Sequence, residues 1–112
     1  MTRIATIILL LLLVAAATAS ATPTQEYMRV MALINWTEVI PEARFTEENM
    51  PKSFNARVRK ASKLVSLGLA AHIGDMVHIE QQGPYIWKIS NDNGSINVNT
   101  YDIPAAAYPK FQ

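Results

Sequence analysis

The sequence predicts an α+β domain: an N-terminal helix packed on a small antiparallel sheet of three or four strands, preceded by a signal or anchor helix. Three observations lead there. An unbroken apolar run opens the chain, apolar residues at helical spacing follow it, and from Met76 onward the repeat changes to strict alternation. Helix first and strands last keeps the two kinds of element apart, as α+β folds do.

The opening run sets the address. Arg3 precedes an apolar stretch over residues 4–17, and Thr18-Ala19-Ser20-Ala21 closes it. A positive start, an apolar centre and a small-x-small end are the parts of a secretory signal, with cleavage expected after Ala21. The stretch is about 14 residues, short of the ~20 that span a bilayer. The alternative is an uncleaved anchor. No charge lies between Arg3 and Glu26, so the segment continued through Gln25 just reaches across a membrane with Arg3 inside. Both readings place residues 22–112 outside the cytoplasm as a single small domain, secreted, periplasmic or at the cell surface. A membrane is a partner only if the segment stays. There is no cysteine, which favours a bacterial envelope over a disulfide-dense secreted scaffold.

Thr22-Pro23-Thr24-Gln25 reads as a helix start, with Thr22 as cap and Gln25 completing a capping box. Tyr27, Val30, Met31, Ile34 and Glu38 recur at helical spacing, and Met28, Leu33, Trp36, Val39 and Ile40 widen the stripe past half the circumference. Pro41 is expected to end this helix. Residues 42–51 form a charged connector. A second helix is expected from near Ser53, with Phe54, Val58, Ala61 and Val65 on one stripe and Arg59, Lys60 and Lys63 opposite. Gly68 is its candidate stop and Gly74 marks a turn.

Val77-His78-Ile79-Glu80 then alternates until Gly83-Pro84. Tyr85, Trp87 and Ile89 form one alternating set, and Ile96, Val98 and Thr100 another. Asn93-Gly94 between them predicts a hairpin with a type I′ turn. The expected register sets Ile89 against Val98, Trp87 against Thr100 and Asn91 against Ile96. All the large apolar residues except Ile86 and Tyr101 then share one face. The proline-punctuated tail from Ile103 to Phe111 is expected to lie across the domain.

Charge excludes some functions. Ten basic residues, including Arg3, face nine acidic ones, so the domain beyond the leader is neutral. It has no general pull on nucleic acid, which is not an expected partner. The charges segregate, with Glu38, Glu42, Glu47 and Glu48 on one stretch and Lys52, Arg57, Arg59, Lys60 and Lys63 on the next. Such stretches form complementary subunit surfaces or two solvated faces.

Catalytic signals are weak. His72, Asp75 and His78 are the only cluster of metal-ligand types, and Gly74 with the strand pattern from Val77 argues against a common helical face, leaving two surface histidines. Ser62 and Lys63 lack the arrangement of a nucleophile with its base, and four glycines include no phosphate cradle. No cofactor, metal or catalytic residue is expected. Asn35-Trp36-Thr37 and Asn93-Gly94-Ser95 match the glycosylation triplet by chance, the first on a buried-looking helix and the second in a tight turn. Tyr85, Trp87 and Tyr101 could form a ligand platform, but packing against the first helix accounts better for Tyr85 and Trp87.

The run Ile79-Glu80-Gln81-Gln82-Gly83, residues 85–89, Asn93-Gly94, residues 96–100, Ile103-Pro104 and residues 106–111 resemble the C-terminal half of type IV pilins, specifically the type IVb pilins of conjugative and enteric bacteria. The resemblance covers about a third of the chain. It implies an N-terminal helix on an antiparallel sheet and assembly into surface filaments. Two features depart from it. Tyr108 stands where the family has its C-terminal cysteine, and Ala5 stands where its processing motif would carry a glutamate. Cleavage at Ala21 would leave a pilin-like head without the stem.

The expected function is therefore that of an exported, non-enzymatic pilin-like or filament-associated envelope protein. It would work through protein–protein contacts, by self-association or with pilus components. Ile34, Trp36, Arg57, Arg59, Lys60, Lys63 and Trp87 are the candidate interaction residues. The alternative is a secreted small-ligand-binding or inhibitory module that uses Trp87 and its neighbours.

Overall fold

The computed structural model describes residues 24–109. The expected signal or anchor, the Thr22-Pro23 start and Phe111 lie outside the described residues. Helix α1 spans Gln25–Thr37, and its cap is Thr24 instead of Thr22. Thr24 is extended, and its hydroxyl accepts the Tyr27 N–H at 3.2 Å. Glu26 adds a negative charge in the first turn, where the helix dipole favours it.

The helix stops at Thr37, before the expected Pro41. Glu38 turns left-handed at φ 59° and ψ 48°, with its N–H on the Ile34 carbonyl. That single residue redirects the chain into β1, Val39–Pro41. Val39 then points into the core and Ile40 out, at 54% exposure, so residues expected on the helix belong to a strand. Pro41 terminates nothing; it sits in an edge strand, where a missing N–H is tolerated.

The largest correction concerns the second helix. Ser53–Val58 is strand β2, paired on both sides, with β1 through Val39↔Val58 and with β3 through Ala56↔Val77. Phe54 and Val58 lie four apart, a spacing that suits a helix stripe and one face of a strand equally. Ala56, fully buried between them, belongs only to the strand pattern. What remains helical is one turn, α2 over Ser62–Ser66. It buries Leu64 and leaves Val65, expected on the inner stripe, 54% exposed.

Gly68 and Gly74, at φ 106° and 92°, carry the turns that lead to β3. Strands β3 (Met76–Gln81), β4 (Ile86–Asn91) and β5 (Gly94–Asn99) complete a five-stranded antiparallel sheet in the order β1-β2-β3-β4-β5. The sheet has more strands than expected because β1 and β2 come from segments read as helix.

The hairpin forms with a corrected register. Trp87 faces Val98, Ile89 faces Ile96 and Asn91 faces Gly94, two residues from the expected pairing. The loop is Asp92-Asn93, and neither residue has positive φ, so the turn is not type I′. Asn91 Oδ1 accepts the Asn93 N–H at 2.8 Å, an Asx turn, and Gly94 takes the positive φ of 151°. A slip of two leaves every side chain on its face. Trp87, Ile89 and Val98 are buried, while Ile86 and Tyr101 point out at 41% and 69% exposure.

Helix α1 lies on this inner face. Val30, Leu33 and Ile34 meet Ala56, Val58, Val77, Ile79, Trp87 and Ile89 in one core, each large aliphatic contributing about 1.5–3 kcal/mol by burial. Thr37 stays satisfied inside it by donating to the Leu33 carbonyl at 2.7 Å. The tail crosses the domain through 3-10 turns at Thr100–Asp102 and Ala105–Ala107. It buries Ile103, and the Ala107 carbonyl accepts from the Asn35 side chain at 3.3 Å. Among the described residues no helix is long and apolar enough to cross a membrane.

Candidate functional site

Arg29 is the single charge between Glu26 and Glu38 on an otherwise apolar helix. Its guanidinium carbon lies 4.6 Å from the centre of the Tyr85 ring, and Nη2 donates to Gln25 Oε1 at 3.1 Å. Tyr85 enters β4, and Tyr101 follows β5 in the first 3-10 turn. Their rings stand 4.4 Å apart at 40°. A hydrogen bond to Tyr85 is the main reason the Tyr101 phenol is held above the ordinary tyrosine range; desolvation and the neighbouring phenol add to it, and Arg29 opposes it. The Asn99 side chain fixes the turn by accepting the Tyr101 N–H at 3.0 Å.

Beside this stack a groove of about 370 Å³ runs between α1 and the tail, lined by Gln25, Met28, Arg29, Thr100, Tyr101 and Tyr108. Tyr108 donates to the Thr100 carbonyl at 3.4 Å, while the buried Thr100 hydroxyl has no hydrogen-bond partner among the described residues. The site therefore combines an exposed Tyr101 on a half-buried Tyr85, a cation and, beneath them, a buried hydroxyl at one end of the helix. Tyrosine and arginine are the residue types that contribute most where proteins meet.

The outer sheet face is different. Asn55, His78, Ser90 and Ser95 form a polar row across four strands. Asn55, His78 and Ser90 border a shallow depression of about 670 Å³ reaching Asp75 and Asn93. His78 Nδ1 and Asn55 Oδ1 are 2.8 Å apart. His72 faces Asp75 on a separate loop, its ring 3.6 Å from the carboxylate and its N–H donating to the same oxygen at 2.8 Å. Among the described residues no three His, Asp or Glu side chains converge as metal ligands. A wet polar face over a buried one is what a one-layer antiparallel sheet presents to solvent.

The expected interaction residues scatter. Ile34 and Trp87, at 6% and 2% exposure, are core, where no partner reaches them in the folded chain. Trp36 is half-buried under the Lys63 ammonium, 4.7 Å from its ring centre. Arg57 points outward from β2 and donates to the Gly74 carbonyl at 2.8 Å. Arg59 and Lys60 are exposed just beyond, and their N–H groups cap the Glu38 carbonyl. No basic helix gathers these side chains, because most of that segment is strand and loop. Asn35, expected on a buried face, is exposed. Of the aromatic platform, Tyr85 and Tyr101 pair but Trp87 does not join them. Arg29 and Thr100 were not anticipated as site residues; the isolation of Arg29 in an apolar helix was the available signal. No protein-family model, curated protein or solved structure matches the chain.

Proposed function

We propose that this is an exported, non-enzymatic envelope protein of the pilin-like or filament-associated kind, working by protein–protein contact at the Arg29–Tyr85–Tyr101 cluster. The observation that carries the reading is an exposed Tyr101 stacked on a half-buried Tyr85 under a guanidinium, beside an apolar groove. The domain has no need of that arrangement for its core, since Tyr101 is 69% exposed. The order of elements is consistent with it, and the residues that resemble pilins fall on β3, β4, β5 and the tail.

The experiment is affinity co-purification from the envelope fraction of the host with the wild type, Tyr101→Ala and Arg29→Ala. Loss of a specific partner in both variants, with unchanged circular dichroism, is expected. An identical set of partners for all three overturns the assignment of the site. The small-ligand reading moves from buried Trp87 to this groove, favoured there by the Thr100 hydroxyl, which has no partner among the described residues. Chemical-shift changes at Thr100 and Tyr108 with small carboxylates, and no protein partner, would select it.

A further inference from the structure

Among the described residues, one side of the β5 backbone has no partner. Thr100 N–H donates to the Tyr85 carbonyl at 2.8 Å, at the end of the ladder that pairs Ile86 with Asn99 and Asn91 with Gly94. Bonded and non-bonded pairs alternate in an antiparallel ladder. Trp87–Val98 and Ile89–Ile96 are thus the bonded pairs, and the backbones of Ser95, Asn97 and Asn99 turn away from β4. Their three N–H groups, and the carbonyls of Ser95 and Asn97, meet no partner among the described residues. Edges of this kind are ordinarily blunted by proline, charge or brevity. Gly94–Asn99 is six residues long with no proline and no charge.

We propose that a second copy of this chain adds to the sheet along β5, antiparallel, with the twofold axis at Asn97. The strand is self-complementary about that residue. Asn97 meets the second copy's Asn97 as a bonded pair exchanging two backbone hydrogen bonds, and Asn99 N–H reaches the second copy's Ser95 carbonyl. On the inner face Ile96, only partly buried in one copy, meets the second copy's Val98, a β-branched pair across strands. No like charges oppose each other, which is the usual bar to a strand pairing with itself. The contact is isologous and closes after two copies. The inference rests on the reading that the protein works by protein contact and names one partner, using the strand edge and not the groove.

Light scattering on the purified protein, over a range of concentrations, tests it. The wild type is expected at twice the chain mass. Asn97→Lys, on the exposed outer face, places two like charges at the axis and should return the mass to one chain. An equal mixture of Asn97→Lys and Asn97→Glu should restore the doubled mass. Amide exchange on the wild type is the second measurement: the Ser95, Asn97 and Asn99 amides should slow as concentration rises. A wild type at one chain mass with fast exchange there, or an Asn97→Lys variant still at double mass, overturns the proposal. If the edge fails while Tyr101→Ala still loses an envelope partner, the functional reading stands without it.

Discussion

At one edge of the sheet β1 runs for three residues, Val39–Pro41; at the other β5 runs for six, Gly94–Asn99. The difference extends to the free backbone groups. Glu42 N–H donates to the Asn55 carbonyl and Arg59 N–H to the Glu38 carbonyl, so by alternation the backbone polar groups of Val39 and Pro41 point away from β2, at the sheet edge. Proline has no N–H to offer there, and Glu38 and Glu42 flank the strand with charge. Among the described residues, the β5 edge presents open donors and acceptors between uncharged side chains. A sheet blocked on one side and open on the other can take one added strand, and the side is already chosen.

Four changes break or sharpen that contrast. The largest effect is expected from Trp87→Ala, which empties the core beneath the strand that holds β5 in place. With Trp87 2% exposed, the loss should be about 3–5 kcal/mol in urea denaturation. A cost near zero would mean the open edge does not depend on this core. Glu38→Gly relieves the left-handed residue that delivers the chain into β1. Thermal unfolding should show a gain of about 0.5–1 kcal/mol, and a loss would show that the Glu38 side chain, not its backbone, sets the junction.

Pro41→Val restores a donor to the blocked edge and should change stability by no more than about 0.5 kcal/mol. In the Asn97→Lys background it should nonetheless permit some association through β1, read as an increase in scattered mass. The smallest effect lies at the end of β5. The folded chain holds the Tyr101 proton above the ordinary value of 10.0. That contribution is complete below about pH 10 and is lost as the pH climbs through the folded value. Tyr85→Phe removes the hydrogen bond chiefly responsible, so the ultraviolet titration of Tyr101 should move down; an unmoved curve would sever the pair.

Much of the fold was legible wherever one period alone fitted. Val77 and Ile79, then Trp87, Ile89 and Val98, alternate without a helical reading, and all are buried. The hairpin slipped by two residues because Asn93-Gly94 admits more than one loop, and Asn91 settles it by accepting from Asn93. The candidate site was half legible. Tyr85 and Tyr101 stood out as aromatics near the sheet, but their pairing with Arg29 joins segments far apart in the chain. Ile34 and Trp87 were misjudged as contact residues because an apolar stripe wider than half a helix does not say whether sheet or partner covers it.

By itself the sequence determined which side of each late strand faces inward, since side chains alternate whatever the register. It also determined that the sheet has apolar and polar faces to divide between helix and solvent. Tertiary structure alone decided that residues 53–58 are extended. Phe54 and Val58 satisfy both periods, and the choice falls to the hydrogen bonds that β1 and β3 supply from either side. The same pairing decided the edges: a strand's outward N–H groups are free or taken according to neighbours brought from elsewhere in the chain.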